Sequence, residues 1–463
     1  MHNRNQSILD DNRIGRLLFK LSLPAFFAMF VQTLYNVVNT IFVGHYVGHL
    51  GIAGLSIVFP LQMLAMGLGM MVGMGGASLI SRLLGTGDTA GAERTVGNGF
   101  TIGIVLYILV CISVLPFLDF WLKLIGASEA VLPYARDYLF IIIIGAIFTI
   151  YSTTLLTYAR AEGNARVGMV AMIIGAGLSI ILSALFIIPM KMGVVGAGLA
   201  TIISQLASTL YLLSYYLTGS SYLKIRTANF IPDFKILKAM FAIGIGAFAQ
   251  TIASSLSAML LINTVISYGG DYALSAFGVI QRILMFAIMP AMVMGQGSQP
   301  ILGYNYGAKR YYNAQKAIRM ALFVATILST LAFLVVYFIP EPLIKIFSSD
   351  PELVATGAYA AKRMFLSMPL MGVVMVSTQI LQALGKAIQA LITAIARPLI
   401  FLIPLIFILP RLWQLDGVWL VFPFSDSLAA LLNAGLLIPI IRQFSREAKQ
   451  ENPELQMLDA SSH

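Results

Sequence analysis

One residue in the chain of 463 is a cysteine, Cys111. It has no partner for an internal disulfide, so oxidation does not stabilise this fold. Charge is scarce as well. Asp, Glu, Lys and Arg make up 10% of the sequence, against about 25% in soluble domains. Catalytic signatures are missing too: no His-Glu-x-x-His, no phosphate loop of the Walker type and no Gly-x-Ser-x-Gly elbow occur, so metalloprotease, ATP-driven pump and hydrolase chemistry find no support. His45 and His49 have the four-residue spacing of a metal pair, but no third ligand is in view and no metal is expected. No cleavable signal pattern occurs, because the polar residues 1–16 run into an apolar stretch too long for a signal core; the first helix is expected to start insertion itself.

What is present in excess is apolar surface. Hydrophobic residues make up 59% of the chain, more than a soluble core can hide, so the bilayer must take it. Twelve apolar stretches are each long enough to cross a hydrocarbon layer of about 30 Å at 1.5 Å per residue. They fall near 17–43, 52–83, 94–115, 134–158, 167–189 and 194–217, then 236–266, 273–302, 314–338, 355–384, 387–409 and 418–441. The expected fold is an all-α polytopic membrane protein with two six-helix lobes. Residues 1–218 form the N-lobe, 219–238 a polar connector that serves as a hinge, and 239–463 the C-lobe with a short tail.

The halves resemble each other. With Lys20 laid on Lys238, Phe30 meets Phe248 and Gln32-Thr33 meets Gln250-Thr251. After a four-residue shift near Gly269, Gly73 and Gly75 fall on Gly295 and Gly297, Gly85 on Gly307, and Ala161-x-Gly163-x-Ala165 on Ala383-x-Gly385-x-Ala387. A fixed offset of this kind indicates an internal repeat. Six spans per repeat is an even number, so both repeats insert the same way up.

The net charge of +10 could suggest nucleic acid, but the placement of the charges decides against it. With a cytoplasmic N-terminus, 20 of the 29 Lys and Arg lie in cytoplasmic segments and 7 in outer ones, Arg282 and Arg397 being within spans. The positive-inside rule therefore expects both termini in the cytoplasm of a cell or inner-membrane protein.

Polar residues inside the spans are the candidates for function. Gln32, Tyr35, Asn36 and Asn39 form one stripe on the first span, which either supplies interhelical hydrogen bonds or lines a transport cavity. Met63, Met66, Met70 and Met74 recur at helical spacing on the second, either as packing or as an adaptable ligand wall. In the second half Gln250, which falls on Gln32 in the repeat, and Gln281 of the eighth span are the cavity candidates. A charge at membrane depth costs about 2.5–3.5 kcal/mol on insertion scales, so Arg282, Arg397 and Asp426 require an explanation. If an arginine lies within about 6 Å of Asp426 the pair neutralises itself and acts as a latch; otherwise the desolvated acid is poised to exchange protons. Glu162, in Arg160-Ala-Glu-Gly-Asn-Ala-Arg166, is expected to pair with the flanking arginines.

The run Gly295-Gln-Gly-Ser-Gln-Pro-Ile-Leu-Gly-Tyr-Asn-Tyr-Gly307-Ala resembles the second-repeat signature of the MATE (multidrug and toxic compound extrusion) transporters. Leu21-Ser-Leu-Pro24 with Gln32-Thr-Leu-Tyr-Asn36, Arg160-Ala-Glu-Gly-Asn164, and Gly417-Val-Trp-Leu-Val-Phe-Pro-Phe-Ser-Asp426 agree with it, in order along essentially the whole chain. The resemblance implies two lobes around a central cavity and export of amphipathic, often cationic organic compounds in exchange for H⁺ or Na⁺. It implies no cofactor, no enzymatic activity, and a monomer whose partners are small-molecule substrates and the bilayer. Many members carry acids at the positions of Asn39 and Ser183 and an Asn at that of Ser179, completing an N-lobe cation site with Thr201. Here that set is neutral and cannot release a proton. A lipid-linked precursor flippase of the same superfamily is the alternative; it would want a basic cavity, for which Arg282 and Arg397 are the candidates. A major-facilitator transporter should show an acid-Arg-x-Gly-Arg motif between spans 2 and 3, and residues 85–94 do not supply it.

Overall fold

A computed structural model of the chain describes residues 9–47, 49–347 and 350–451, apart from the side chains at 36, 37, 39, 40, 41, 43, 44, 49, 271 and 451. Among the described residues all regular structure is helical. The first half comprises α1 (Ile14–Tyr46), α2 (His49–Thr86), α3 (Thr89–Val114), α4 (Leu118–Ile125), α5 (Leu132–Ile144), α6 (Ala146–Ala161), α7 (Ala165–Ile187) and α8 (Gly193–Leu217). The second comprises α9 (Phe234–Gly307), α10 (Tyr311–Phe338), α11 (Pro340–Lys345), α12 (Pro351–Met364), α13 (Met368–Ala383), α14 (Ala387–Ile395), a π-helical turn (Ala396–Leu402) and α15 (Ile403–Glu451).

Local chemistry sets the boundaries. Asp88 caps α3 by accepting from Gly91 N at 2.8 Å, Asn164 caps α7 through Val167 N at 3.4 Å, and Asp350 caps α12 through Glu352 N at 2.9 Å. Gly163 and Gly385, matched positions of the repeat, end α6 and α13 in the left-handed region with φ of 87° and 72°, which only glycine enters without strain. The repeat is visible in shape as well. The α5–α6 pair is bent by 50° and the α12–α13 pair by 55°.

Nine helical stretches are apolar and long enough to span a membrane, and the two bent pairs bring the number to eleven. The stretch Ala387–Gln450 has 64 residues, which as one rod would be about three times the hydrocarbon thickness. It is broken at Trp413 (φ −128°) and Gln414 (φ 53°) and so makes two crossings. The twelve expected spans are accounted for, six on each side of the connector. Of the most apolar window in each of the nine single stretches, only 22–44% is buried; the remaining apolar surface must face lipid.

The helices form two compact units. Among the described residues, unit 1 holds 9–10 and those from 23 to 251, and unit 2 holds 11–22 and those from 252 to 451. In unit 1, Val58, Leu122, Leu139 and Ile143 are fully buried at the centre of the apolar core. In unit 2, Phe365 and Trp419 take that role, and Trp419 stacks on Phe277 at 6.4 Å. Both α1 and α9 begin in one unit and end in the other.

The connector is tied down over much of its length. Residues 221–233 are strapped to unit 1 by polar groups of α3 and Glu162. Asn98 accepts from Asp233 N at 2.7 Å and donates to Asn229 O and Ile231 O, each at 3.4 Å. Thr101 donates to Phe230 O at 2.6 Å, and Glu93 accepts from Lys224 N at 3.2 Å while pairing with Arg226 at 3.4 Å. Polar side chains of α3 and of the connector thus satisfy its backbone. Gly97 makes the close approach possible, because a Cβ there would overlap the carbonyl of Asn229. Gly97→Ala is expected to lift the strap, destabilising the protein by about 1–3 kcal/mol. Tryptic cleavage at Lys224 and Arg226 should speed up several-fold, and an unchanged digestion rate would show that the strap tolerates the methyl group.

Candidate functional site

The charges buried in unit 2 come together at its two irregular helices. The π turn carries Arg397 and Pro398, and a π turn leaves carbonyls without their usual intrahelical donors. The Pro398 carbonyl is met by the Ser257 hydroxyl of α9, which also faces Ala253 O at 2.7 Å. Arg397 Nε reaches Asp426 Oδ1 on α15 at 2.6 Å, with the carboxylate side chain 5% and the guanidinium 21% exposed. Ser367, at the bend between α12 and α13, donates to the other oxygen, Asp426 Oδ2, at 2.8 Å. Two turns further along α15, Asn433 Nδ2 donates to Val374 O of α13 at 3.2 Å. The seven-residue step from Ser367 to Val374 matches the step from Asp426 to Asn433, so α13 and α15 are joined twice along parallel faces.

Of the two arrangements expected for Asp426, the structure has the one with an arginine beside it. A carboxylate this deep, held by a charge-assisted bond at one oxygen and a hydroxyl at the other, has its negative charge compensated. Arg282 does not join it. Ile280 and Ile283 occupy the buried face of that helix, leaving Arg282 exposed with no ion pair among the described residues. The charge network expected of three residues is therefore Arg397, Asp426 and Ser367. Ser367 was missed because hydroxyls are common in spans; the signal for it was Ser-Met-Pro369 at the bend, the repeat counterpart of Gly145. Unit 1 shows what the repeat does without an acid: at Gln205, the position matching Asp426, the side-chain carbonyl accepts from Ser152 Oγ at 2.7 Å.

The neutral cluster of unit 1 is partly visible. Ser179 and Ser183 are buried, the Ser183 hydroxyl lacks a hydrogen-bond partner among the described residues, and Thr201 is partly buried and donates to Ala197 O at 2.9 Å. Asn36 and Asn39 lie outside the described side chains. Gln32, Tyr35, Met63, Met66, Met70 and Gln250 of unit 1 and Gln281 of unit 2 are all partly buried on their helices. Among the described residues no three His, Cys, Asp or Glu side chains gather as a metal site. His45 is exposed and packs edge-on against Tyr46.

Glu93, Glu162 and Asp426 are the buried carboxylates among the described residues. Glu93 has Arg226 and Asp426 has Arg397. Glu162 does not pair with the arginines beside it in sequence. Gly163 turns the chain so that Glu162 points under the connector, where its Oε2 accepts from Ser221 Oγ at 2.6 Å, Tyr222 N at 3.1 Å and Tyr215 Oη at 3.4 Å. Arg160 instead sends Nη2 toward Thr157 Oγ1 at 3.4 Å. Burial pushes the Glu162 carboxyl up to about 7, against the pull of its hydrogen bonds from Ser221 and the backbone.

The MatE family profile matches residues 24–185 and again residues 247–408. The chain belongs to the MatE family. The double match coincides with the internal repeat and makes this a multi-pass membrane transporter. The multidrug export protein MepA of Staphylococcus aureus (strain NCTC 8325 / PS 47) is 30% identical over 431 residues, 93% of this chain and 94% of that protein. The MepA of Staphylococcus haemolyticus is 27% identical over 388 residues, covering 84% of this chain and 85% of the relative. Among solved structures, a ligand complex of the MATE multidrug transporter DinF-BH is 40% identical, with a TM-score of 0.87 over 93% of this chain and 96% of that one. An outward-facing MATE multidrug resistance transporter superposes with a TM-score of 0.90 over 96% of this chain and 99% of that one; at 24% identity it supports the fold alone.

If Asp426 and Arg397 form a compensated pair, removing one partner should harm this MATE protein more than removing both. Asp426→Ala is expected to destabilise by about 3–5 kcal/mol, while Asp426→Leu with Arg397→Met recovers much of that loss. Thermal unfolding of the purified variants checks it, and equal losses for single and double variants would refute the pairing.

Proposed function

We propose that the protein is a secondary multidrug antiporter that exports amphipathic, often cationic organic compounds in exchange for H⁺ or Na⁺. The observation that carries this reading is the family match across both repeats, and the relatives named for multidrug export support a range of drug-like cargo. The work comes from the membrane: one charge moved through 100 mV is worth about 2.3 kcal/mol. Alternating access by rocking of the lobes follows from the parallel repeats. The distribution of Lys and Arg supports a cell or inner-membrane protein with both termini in the cytoplasm, acting as a monomer on small molecules and the bilayer, without a cofactor.

Gln32, Tyr35, Asn36, Met63, Met66, Met70, Gln250 and Gln281 are the side chains offered to substrate, chosen by polarity and adaptability at helical spacing. For coupling there are two sets. Asn39, Ser179, Ser183 and Thr201 offer only dipoles, which suits a weakly held Na⁺. Asp426 offers a charge, and its pair with Arg397 couples to transport by forming in one state and opening in another. The flippase alternative loses ground because Arg397 is committed to Asp426, which leaves Arg282 as the single basic candidate within the spans.

Efflux of a fluorescent organic cation from proteoliposomes, with an imposed pH gradient, an imposed Na⁺ gradient or neither, tests the reading. Export under one of the gradients is expected; equal export under neither would favour the flippase. Asp426→Asn is expected to abolish gradient-driven export while leaving the protein in the membrane. Normal export by that variant would remove Asp426 as the coupling acid and leave the neutral set.

A further inference from the structure

Of the three buried carboxylates, Glu162 alone has no cation beside it among the described residues. It also sits outside the spans, in the turn between α6 and α7, where it holds the connector. Three donors converge on Oε2, while Oε1 is buried without a hydrogen-bond partner among the described residues. Ser221 extends the grip, since its Oγ accepts from Leu223 N at 3.0 Å. The surroundings offer little to balance a charge. Tyr215 and Tyr216 face it from α8 and Tyr222 from the connector, Tyr158 and Arg160 are on its own helix with Arg160 directed to Thr157, and apolar Leu9 packs on the adjacent Gly163. All of these groups belong to unit 1.

We propose that Glu162 is a proton-binding clip for the connector: with the proton bound the segment 221–223 is fastened to the end of the fourth span, and loss of the proton loosens it. A neutral carboxyl keeps Oε2 as an acceptor for all three donors. An ionised one leaves a buried charge with half its oxygens unserved, which is relieved only by opening to water. The direction follows from linkage. The closed clip keeps its proton to about pH 7, whereas a solvated carboxyl releases it near 4.5. The closed state therefore binds more protons in between, and opening becomes easier as pH rises. Because Glu93 and Asn98 hold the rest of the strap, the effect is confined to its first few residues. This clip is separate from any coupling ion, and gives the transporter a response to pH on the connector side of the membrane.

Hydrogen–deuterium exchange of the full-length protein in nanodiscs tests it without a transport assay. After correction for intrinsic rates, amides 222–223 should open about tenfold more readily at pH 8.5 than at pH 6, with no comparable change in the segment 229–233. Glu162→Gln, which mimics the protonated acid, should hold both amides in the protected state at both pH values. Protection in the wild type that does not vary with pH would overturn the proposal. So would a pH response that persists in Glu162→Gln, since another group would then be responsible. If the exchange behaves as expected while proteoliposomes show no export under any gradient, the clip stands and the antiporter reading falls.

Discussion

Polar groups are expensive in hydrocarbon, and that cost organises the chain at every level. Backbone N–H and C=O groups must be satisfied within each crossing segment, so the spans are helices. Side chains that cannot be satisfied by their own helix are drawn to the inside of a unit. Two of the buried carboxylates arrive in compensated sets: Asp426 with Arg397 and Ser367, Glu93 with Arg226 and the backbone of the connector. Irregular backbone follows the same logic. The π turn at 396–402 carries the Pro398 carbonyl that Ser257 meets, and the bend before α13 carries Ser367, whose hydroxyl donates to Asp426.

The two repeats solve one packing problem with different chemistry. Both have a bent fourth span and a left-handed glycine at its end. In unit 1 the position that corresponds to Asp426 is Gln205, whose bond with Ser152 is neutral. In unit 2 an ion pair occupies that level. Among the described residues the buried span charge is thus concentrated in the second repeat.

The connector adds a third layer. Its polar residues give the appearance of a flexible joint, but they are consumed by α3 and by the turn after α6. The chain crosses between the compact units inside α1 and α9 instead. The segment 229–233 is tied by four hydrogen bonds to Asn98 and Thr101.

Composition and hydrophobic run length by themselves determined the membrane, the helical class, the twelve spans and the repeat, because burial in lipid depends on local apolar content and needs no knowledge of neighbours. The repeat offset and the glycines of Gly163 and Gly385 were legible for the same reason: each is a property of a few consecutive residues. Which arginine meets Asp426, and that Ser367 completes the set, was decided only by tertiary structure. Arg282 and Arg397 look alike in sequence, and the choice between them turns on which helix face is buried. Glu162 shows the same limit more sharply. Two arginines stand within four residues of it, yet a single left-handed glycine directs it to Ser221 and Tyr222 about sixty residues away. Sequence proximity could not reveal that pairing, since the electrostatics of a buried carboxylate are set by whatever the fold places within a few ångströms.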